Sequence, residues 1–290
     1  MRSRRARPEL AFIGPANGYL ALVTLFPLLY TAWLSLYRWN IPFPRHFIRL
    51  GNYATALQDP LFWYSVRITL WWAIATSVAE VVLGLGIAQL LNRHSRWVHL
   101  ARSLVIVPMV LTPVVTAMMW RYIYNPTLGP LNWLLGLAGI APREWYSDPA
   151  TVWPSLFLID LWQWTPFVVV IVLSGLYALP SDVYESADID GAGSWSKFWR
   201  LTLPLLSPVL LIALLLRLVE SLKIFDTIYV LTRGGPGTLT EVLSFHIYRM
   251  GVGERFQVGY GASMSLLFLV LATVPVVILT LRARNELGLS

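Results

Sequence analysis

Glu185-Ser186-Ala187-Asp188-Ile189-Asp190-Gly191-Ala192, followed by Leu201-Thr202-Leu203-Pro204, is the stretch that decides how this chain is read. It is a polar, acidic segment of about two helical turns, wedged between two long apolar runs. Pro180 ends the run before it. Asp182, with Glu185 three residues later, reads as a capping-box-like helix start. The helix is expected to continue to about Asp190, where Gly191 is free to take the left-handed conformation that stops it. Ser194 reads as the cap of a second short helix through Arg200. Pro204 opens the next run, where a missing N–H is harmless. The prediction is helix, glycine corner, helix: a rigid knob carrying Asp182, Glu185 and Asp188 on one face.

The flanking runs set the solvent. The chain has 290 residues, 57% hydrophobic and 13% charged, with mean hydropathy +0.61. Soluble domains carry about 25% charged residues, so the expected environment is a lipid bilayer. A crossing helix needs about 20 mostly apolar residues. Six runs qualify, at residues 10–36, 68–91, 104–123, 152–176, 205–225 and 260–281. The first follows Arg2, Arg4, Arg5 and Arg7 but is too long for a signal peptide and lacks a convincing cleavage site, so an uncleaved first helix is expected.

Arginine gives the orientation. The N-terminal cluster, Arg93, Arg96 and Arg102 between runs two and three, and Arg282 and Arg284 after run six all fall on one side if there are six crossings. By the positive-inside rule that side is cytoplasmic, both termini included. The same topology places residues 180–203 in the cytoplasm.

Several chemistries are excluded. With no cysteine, disulfides, thiolate catalysis and Cys-ligated metals are impossible. His46, His94, His99 and His246 form no i,i+4 pair. No Gly-rich Lys-Ser/Thr phosphate loop occurs, so any ATPase must be another chain. The net charge of +7 reflects Arg at the ends of apolar runs rather than a nucleic-acid surface.

The segment around Glu185 resembles the cytoplasmic "EAA" loop of binding-protein-dependent ABC importer permeases. The family pattern is Glu-Ala-Ala, three residues, Gly, nine residues, a branched apolar residue, any residue, Leu-Pro. Glu185, Ala187, Gly191, Leu203 and Pro204 fall on it; Ser186 and Leu201 replace the usual Ala and Ile. Leu50-Gly51-Asn52-Tyr53 before Pro60-Leu61-Phe62-Trp63, Trp162-Gln163-Trp164-Thr165-Pro166-Phe167, and Phe225-Asp226 before Tyr229-Val230-Leu231-Thr232 with Gly234-Gly235-Pro236 are similar to the carbohydrate branch, the maltose and glycerol-phosphate types.

The resemblance implies an all-α, polytopic type I permease in minimal six-helix form, one domain over residues 1–290. It implies ATPase coupling through Glu185, Ala187, Asp190, Gly191, Leu203 and Pro204. The implied partners are a second homologous permease chain, two ATPase subunits, an extracytoplasmic solute-binding protein and a sugar. ATP and Mg would sit on the ATPase, leaving this chain neither enzyme nor cofactor-bound. The implied location is a bacterial or archaeal plasma (inner) membrane. An amino-acid, peptide or polyamine importer is the nearer alternative. An ion-driven secondary transporter titrating Glu80 or Asp160 is the more distant one, and it would be expected to show an inverted repeat that is not visible.

Charged side chains inside spans are costly and mark functional sites by default. Asp160, Gln163 and Trp164 in the fourth run, with Arg217 and Glu220 in the fifth, supply the carboxylates, amide, guanidinium and ring faces that a sugar requires. Arg217 and Glu220, three apart, are expected to pair along one face. The competing reading is interhelical polar glue.

Overall fold

A computed structural model describes residues 8–93 and 95–287. The Arg2–Arg7 cluster and His94 lie outside the described residues. The fold is all-helical apart from one small hairpin among those residues. In chain order the elements are α1 (Pro8–Ser35), β1 (Tyr37–Arg38), β2 (His46–Phe47), α2 (Gly51–Gln58), α3 (Pro60–Leu91), α4 (Arg96–Val110), α5 (Pro113–Ile123), α6 (Pro130–Leu137), α7 (Val152–Tyr177), α8 (Ser181–Ile189), α9 (Ser194–Lys197), α10 (Leu203–Leu222), α11 (Leu243–Tyr248) and α12 (Val258–Leu287).

The chain divides into two compact units. The first comprises the chain up to Trp63 together with His246–Leu271. In it, α1 carries Phe26, Tyr30 and Trp33 at helical spacing, and their rings stack in series (6.1 and 5.7 Å between centroids). The series continues through Tyr37 to Phe47 across the antiparallel hairpin, in which Tyr37 faces Phe47. Asn52 donates to the carbonyls of Ser35 and Tyr37, both at 2.8 Å, and the hydroxyls of Tyr53 and Ser35 share a hydrogen bond. Asp59 accepts from the Leu61 N–H at the start of α3 and from the Tyr260 hydroxyl. The Asn52-Tyr53 pair and Asp59 therefore clamp the connection after α1; each satisfies polar groups that would otherwise be buried unpaired.

The second unit comprises Tyr64–Phe245 and the chain from Ala272 onward. Its core joins Ala88 and Leu91 of α3, Val168, Val169, Val172, Leu173 and Leu176 of α7, and Leu206 and Ala213 of α10. Gly84 permits the close approach of α3 to α7: a Cβ there would lie 2.6 Å from Val168 Cγ1. Small residues at helix crossings serve this purpose in bilayers.

Among the described residues, four helices are long and apolar enough to cross a membrane: Gly14–Ser35, Pro60–Leu91, Val152–Tyr177 and Ser194–Leu222. The run expected as one helix at 104–123 is instead broken. α4 and α5 meet at 99°, with Leu111 and Thr112 both extended (ψ 141 and 145). Pro113 pushes its predecessor out of the helical region, and Pro108 weakens the last turn of α4. Val258–Val274 forms a shorter apolar stretch of α12.

The fifth apolar run also differs from expectation. No break occurs at Pro204: α9 passes through a π-helical turn at Phe198–Thr202 directly into α10. A proline ring clashes with the carbonyl four residues back, and a widened turn ahead of it relieves that contact.

Candidate functional site

Two features of the second unit draw attention, a polar knob and a buried charge cluster. The knob is α8, the Gly191 corner and α9. α8 starts from Pro180 without any side-chain cap, so Asp182 is not the N-cap expected from the sequence. It lies in the first turn, where a carboxylate complements the helix dipole. The helix ends in a Schellman arrangement: the Ala192 N–H donates to the Ala187 carbonyl at 2.9 Å and the Gly191 N–H to the Asp188 carbonyl at 3.1 Å. Gly191 holds φ +73, the left-handed geometry this motif needs. Asp190 is the C-cap residue between Ile189 and that glycine. Ser194 does not cap α9; Gly193 occupies that position.

Two contacts brace the corner. Lys197 Nζ lies 2.5 Å from Asp188 Oδ1, and the Tyr184 and Thr202 hydroxyls are 2.9 Å apart. Asp188 is therefore engaged within the knob, while on its face Asp182 accepts only from the neighbouring Ser181 hydroxyl at 3.3 Å and Glu185 makes no side-chain hydrogen bond among the described residues. No residue of α8 is buried, and Ile189 is 87% exposed. Pro204 is exposed and Leu203 half-buried where α10 begins.

The charge cluster joins α3, α7 and α10. Arg217 engages Glu80 with two nitrogens, Nε to Oε2 and the terminal nitrogen to Oε1. The same guanidinium donates to Ser221 Oγ at 3.0 Å, approaches Asp160 Oδ2 at 3.5 Å, and lies 5.0 Å above the centre of the Trp164 ring. Thr76 extends the network to Ser221 at 3.2 Å. Arg217 is 1% exposed and Glu80 0%, whereas Asp160 is 13% exposed. A planar fork held bidentately by one carboxylate is the geometry for which arginine is suited in low dielectric. Two carboxylates against one guanidinium leave Asp160 incompletely matched.

The pairing differs from that expected. Arg217 turns to Glu80 rather than to Glu220, which instead joins Lys223 at 2.7 Å on an exposed face. Glu80, 137 residues away in sequence, is fully buried, so its need for a countercharge decides the partner. Asp160, Trp164, Arg217 and Glu220 line a common cavity of about 110 Å³. Gln163 does not: it is buried, and its Nε2 donates to the Leu111 carbonyl at 3.0 Å. It thereby satisfies a carbonyl freed by the α4–α5 break. The sequence offers Glu80 only as the titrating carboxylate of the ion-driven alternative, and it does not single out Ser221. The i,i+4 spacing of Arg217 and Ser221 was the available signal.

These helices and this knob define a polytopic α-helical permease. Residues 80–285 match the family described as binding-protein-dependent transport system inner membrane component, and the chain belongs to that family. It is 35% identical over 276 residues to the trehalose/maltose transport system permease protein MalF of Thermococcus litoralis, covering 93% of this chain and 92% of that protein. It is 35% identical over 274 residues to the trehalose transport system permease protein SugA of Mycobacterium tuberculosis H37Rv, covering 91% and 85%. A chain of a bacterial ABC transporter involved in the import of the acidic polysaccharide alginate superposes with TM-score 0.85 at 20% identity, covering 97% of this chain and 96% of that one. This structural likeness establishes the fold.

Proposed function

We propose that this chain is one of the two membrane-spanning permease subunits of an ATP-driven importer for a sugar or sugar-like solute. The observation that carries this reading is the exposed, internally braced α8–Gly191–α9 corner in a chain that matches sugar permeases along more than nine-tenths of its length. α8 docks in a cleft of a separate ATPase through Glu185, Ala187, Asp190 and Gly191, with Leu203 and Pro204 fixing the junction to α10. A second permease chain completes the pathway, and a solute-binding protein delivers the cargo. The chain crosses the inner membrane six times, the bent α4–α5 pair counting as the third crossing and α12 as the sixth, and both termini are cytoplasmic. Co-purification with an ATPase subunit, together with sugar uptake by the assembled complex, tests the reading. A chain that moves solute without any ATPase overturns it.

The topology has its own test on this cysteine-free sequence. Ser194→Cys is expected to resist an impermeant thiol reagent applied to intact cells and to react once the membrane is opened. Labelling from outside sinks the orientation.

The solute passes Asp160, Trp164, Arg217 and Glu220. Of the two carboxylates that face Arg217, Asp160 is the less committed, and Trp164 offers a ring face. Asp160→Ala and Trp164→Ala are expected to lower uptake about tenfold, the worth of one good polar or stacking contact, while assembly and basal ATP hydrolysis persist. Loss of assembly in both variants would reduce these residues to packing.

A further inference from the structure

The first compact unit holds a polar cavity of about 470 Å³ that the transport reading does not use. Its size falls within the roughly 300–1,000 Å³ of small-ligand sites. Part of its lining is fixed. Asn52 is spent on the Ser35 and Tyr37 carbonyls, and Asp59 is oriented by the Leu61 N–H at 2.8 Å and the Tyr260 hydroxyl at 3.0 Å. Other lining groups are uncommitted. The side chains of Arg38, Gln58 and Gln257 make no hydrogen bond or ion pair among the described residues. Arg38 and Asp59 border the same space without pairing to each other.

The backbone around the cavity is unusual. Arg49, next to the lining residue Ile48, has φ 54, and Phe256, next to Gln257, has φ 52. Non-glycine residues in the left-handed region are uncommon and gather at ligand clamps. Two backbone bonds hold the Phe256–Gln257 turn in place: the Gln257 N–H to the Met250 carbonyl at 2.8 Å, and the Ile41 N–H to the Phe256 carbonyl at 3.1 Å.

We propose that this cavity is a second solute site, separate from the intramembrane cluster, that takes the vicinal hydroxyls of a neutral sugar or polyol. A vicinal diol offers paired donors and acceptors. The Arg38 fork donates to two oxygens, Asp59 accepts a hydroxyl proton, and the Gln58 and Gln257 amides do both. Ile48 and Met250 supply an apolar patch for the ring carbons. An anion would meet Asp59 and a cation would meet Arg38, so the lining selects an uncharged ligand. The inference rests on the carbohydrate reading above. In the six-crossing arrangement the cavity belongs to the connections after α1 and before α12, on the outer side, where arriving solute would meet it first.

The test uses the full-length chain in lipid nanodiscs and saturation-transfer NMR with maltose, trehalose and glycerol as probes. Wild type is expected to bind at least one probe. Arg38→Ala and Gln257→Ala each weaken binding about tenfold; Arg38→Lys recovers part of the loss. Melting temperatures of all variants stay at the wild-type value, because neither Arg38 nor Gln257 makes a side-chain bond that folding needs. Probe binding unaltered by both alanine variants, or no binding of any probe, overturns the proposal. So does unaltered probe binding with weakened capture of a solute-binding protein, which would make the cavity a protein-docking surface. Sugar uptake by the assembled transporter, measured in parallel, separates the two ideas: uptake with a silent cavity sinks only the second site, and absent uptake sinks the carbohydrate reading itself.

Discussion

Gly191→Pro and Glu185→Lys are expected to leave the chain inserted in the membrane, abolish ATP-driven uptake, and let ATP hydrolysis continue unlinked. Gly191 sits at φ +73, and proline is confined near φ −65. The substitution also deletes the N–H that binds the Asp188 carbonyl. The Schellman closure fails, and α8 leaves the corner in another direction. A non-glycine side chain in the left-handed region costs about 1–2 kcal/mol, so Gly191→Ala should show a partial version of the defect. Glu185→Lys acts through charge. Lys197 already holds Asp188, so Glu185 and Asp182 carry the acidic character that remains on that face. Uptake, ATP hydrolysis and membrane insertion are measured separately. Normal uptake by both variants would remove the coupling role from this segment.

Arg217→Met is expected to cause the largest loss of stability of any single change in the second unit. It strands Glu80, which is 0% exposed, with Asp160 beside it. Removing one partner of a buried ion pair costs about 3–5 kcal/mol because the other charge is left uncompensated. Glu80→Gln should cost less, about 1–2 kcal/mol, since the amide still accepts from Arg217 and Asp160 still supplies charge. The double change Glu80→Leu with Arg217→Met should recover much of the single loss, as paired replacement by apolar groups commonly does. Thermal unfolding in detergent reads all three. A wild-type melting temperature for Arg217→Met would mean that water reaches the pair.

Much of this architecture could be read from residues whose effect is local. Gly191 marks its own turn, Pro180 marks the end of the run before α8, and uninterrupted apolar runs mark long helices. The bend between α4 and α5 was harder to see. A hydropathy reading averages over Leu111 and Thr112, whereas the backbone responds to Pro113 specifically. The charge cluster was legible as a set of costly residues but not as a set of pairs. Arg217 and Glu220 satisfy the i,i+3 rule, which concerns one helix in isolation. Glu80 outcompetes Glu220 only once α3 packs against α10 and buries it. Gln163 was assigned to the solute for the same reason: the orphaned Leu111 carbonyl that claims it exists only in the folded chain.

The unbroken helix from Ser194 to Leu222 has a mechanical consequence. Ser194 stands at the exposed corner after α8, and Arg217 stands in the charge cluster. They are separated by about 34 Å of rod at about 1.5 Å per residue. One continuous helix carries the knob at one end and the guanidinium at the other. A load applied at the knob would therefore reach the cluster along one continuous helix, by way of the π-helical turn at Phe198–Thr202 and Pro208. The stroke is then limited by how far Arg217 can swing before it must let go of a carboxylate.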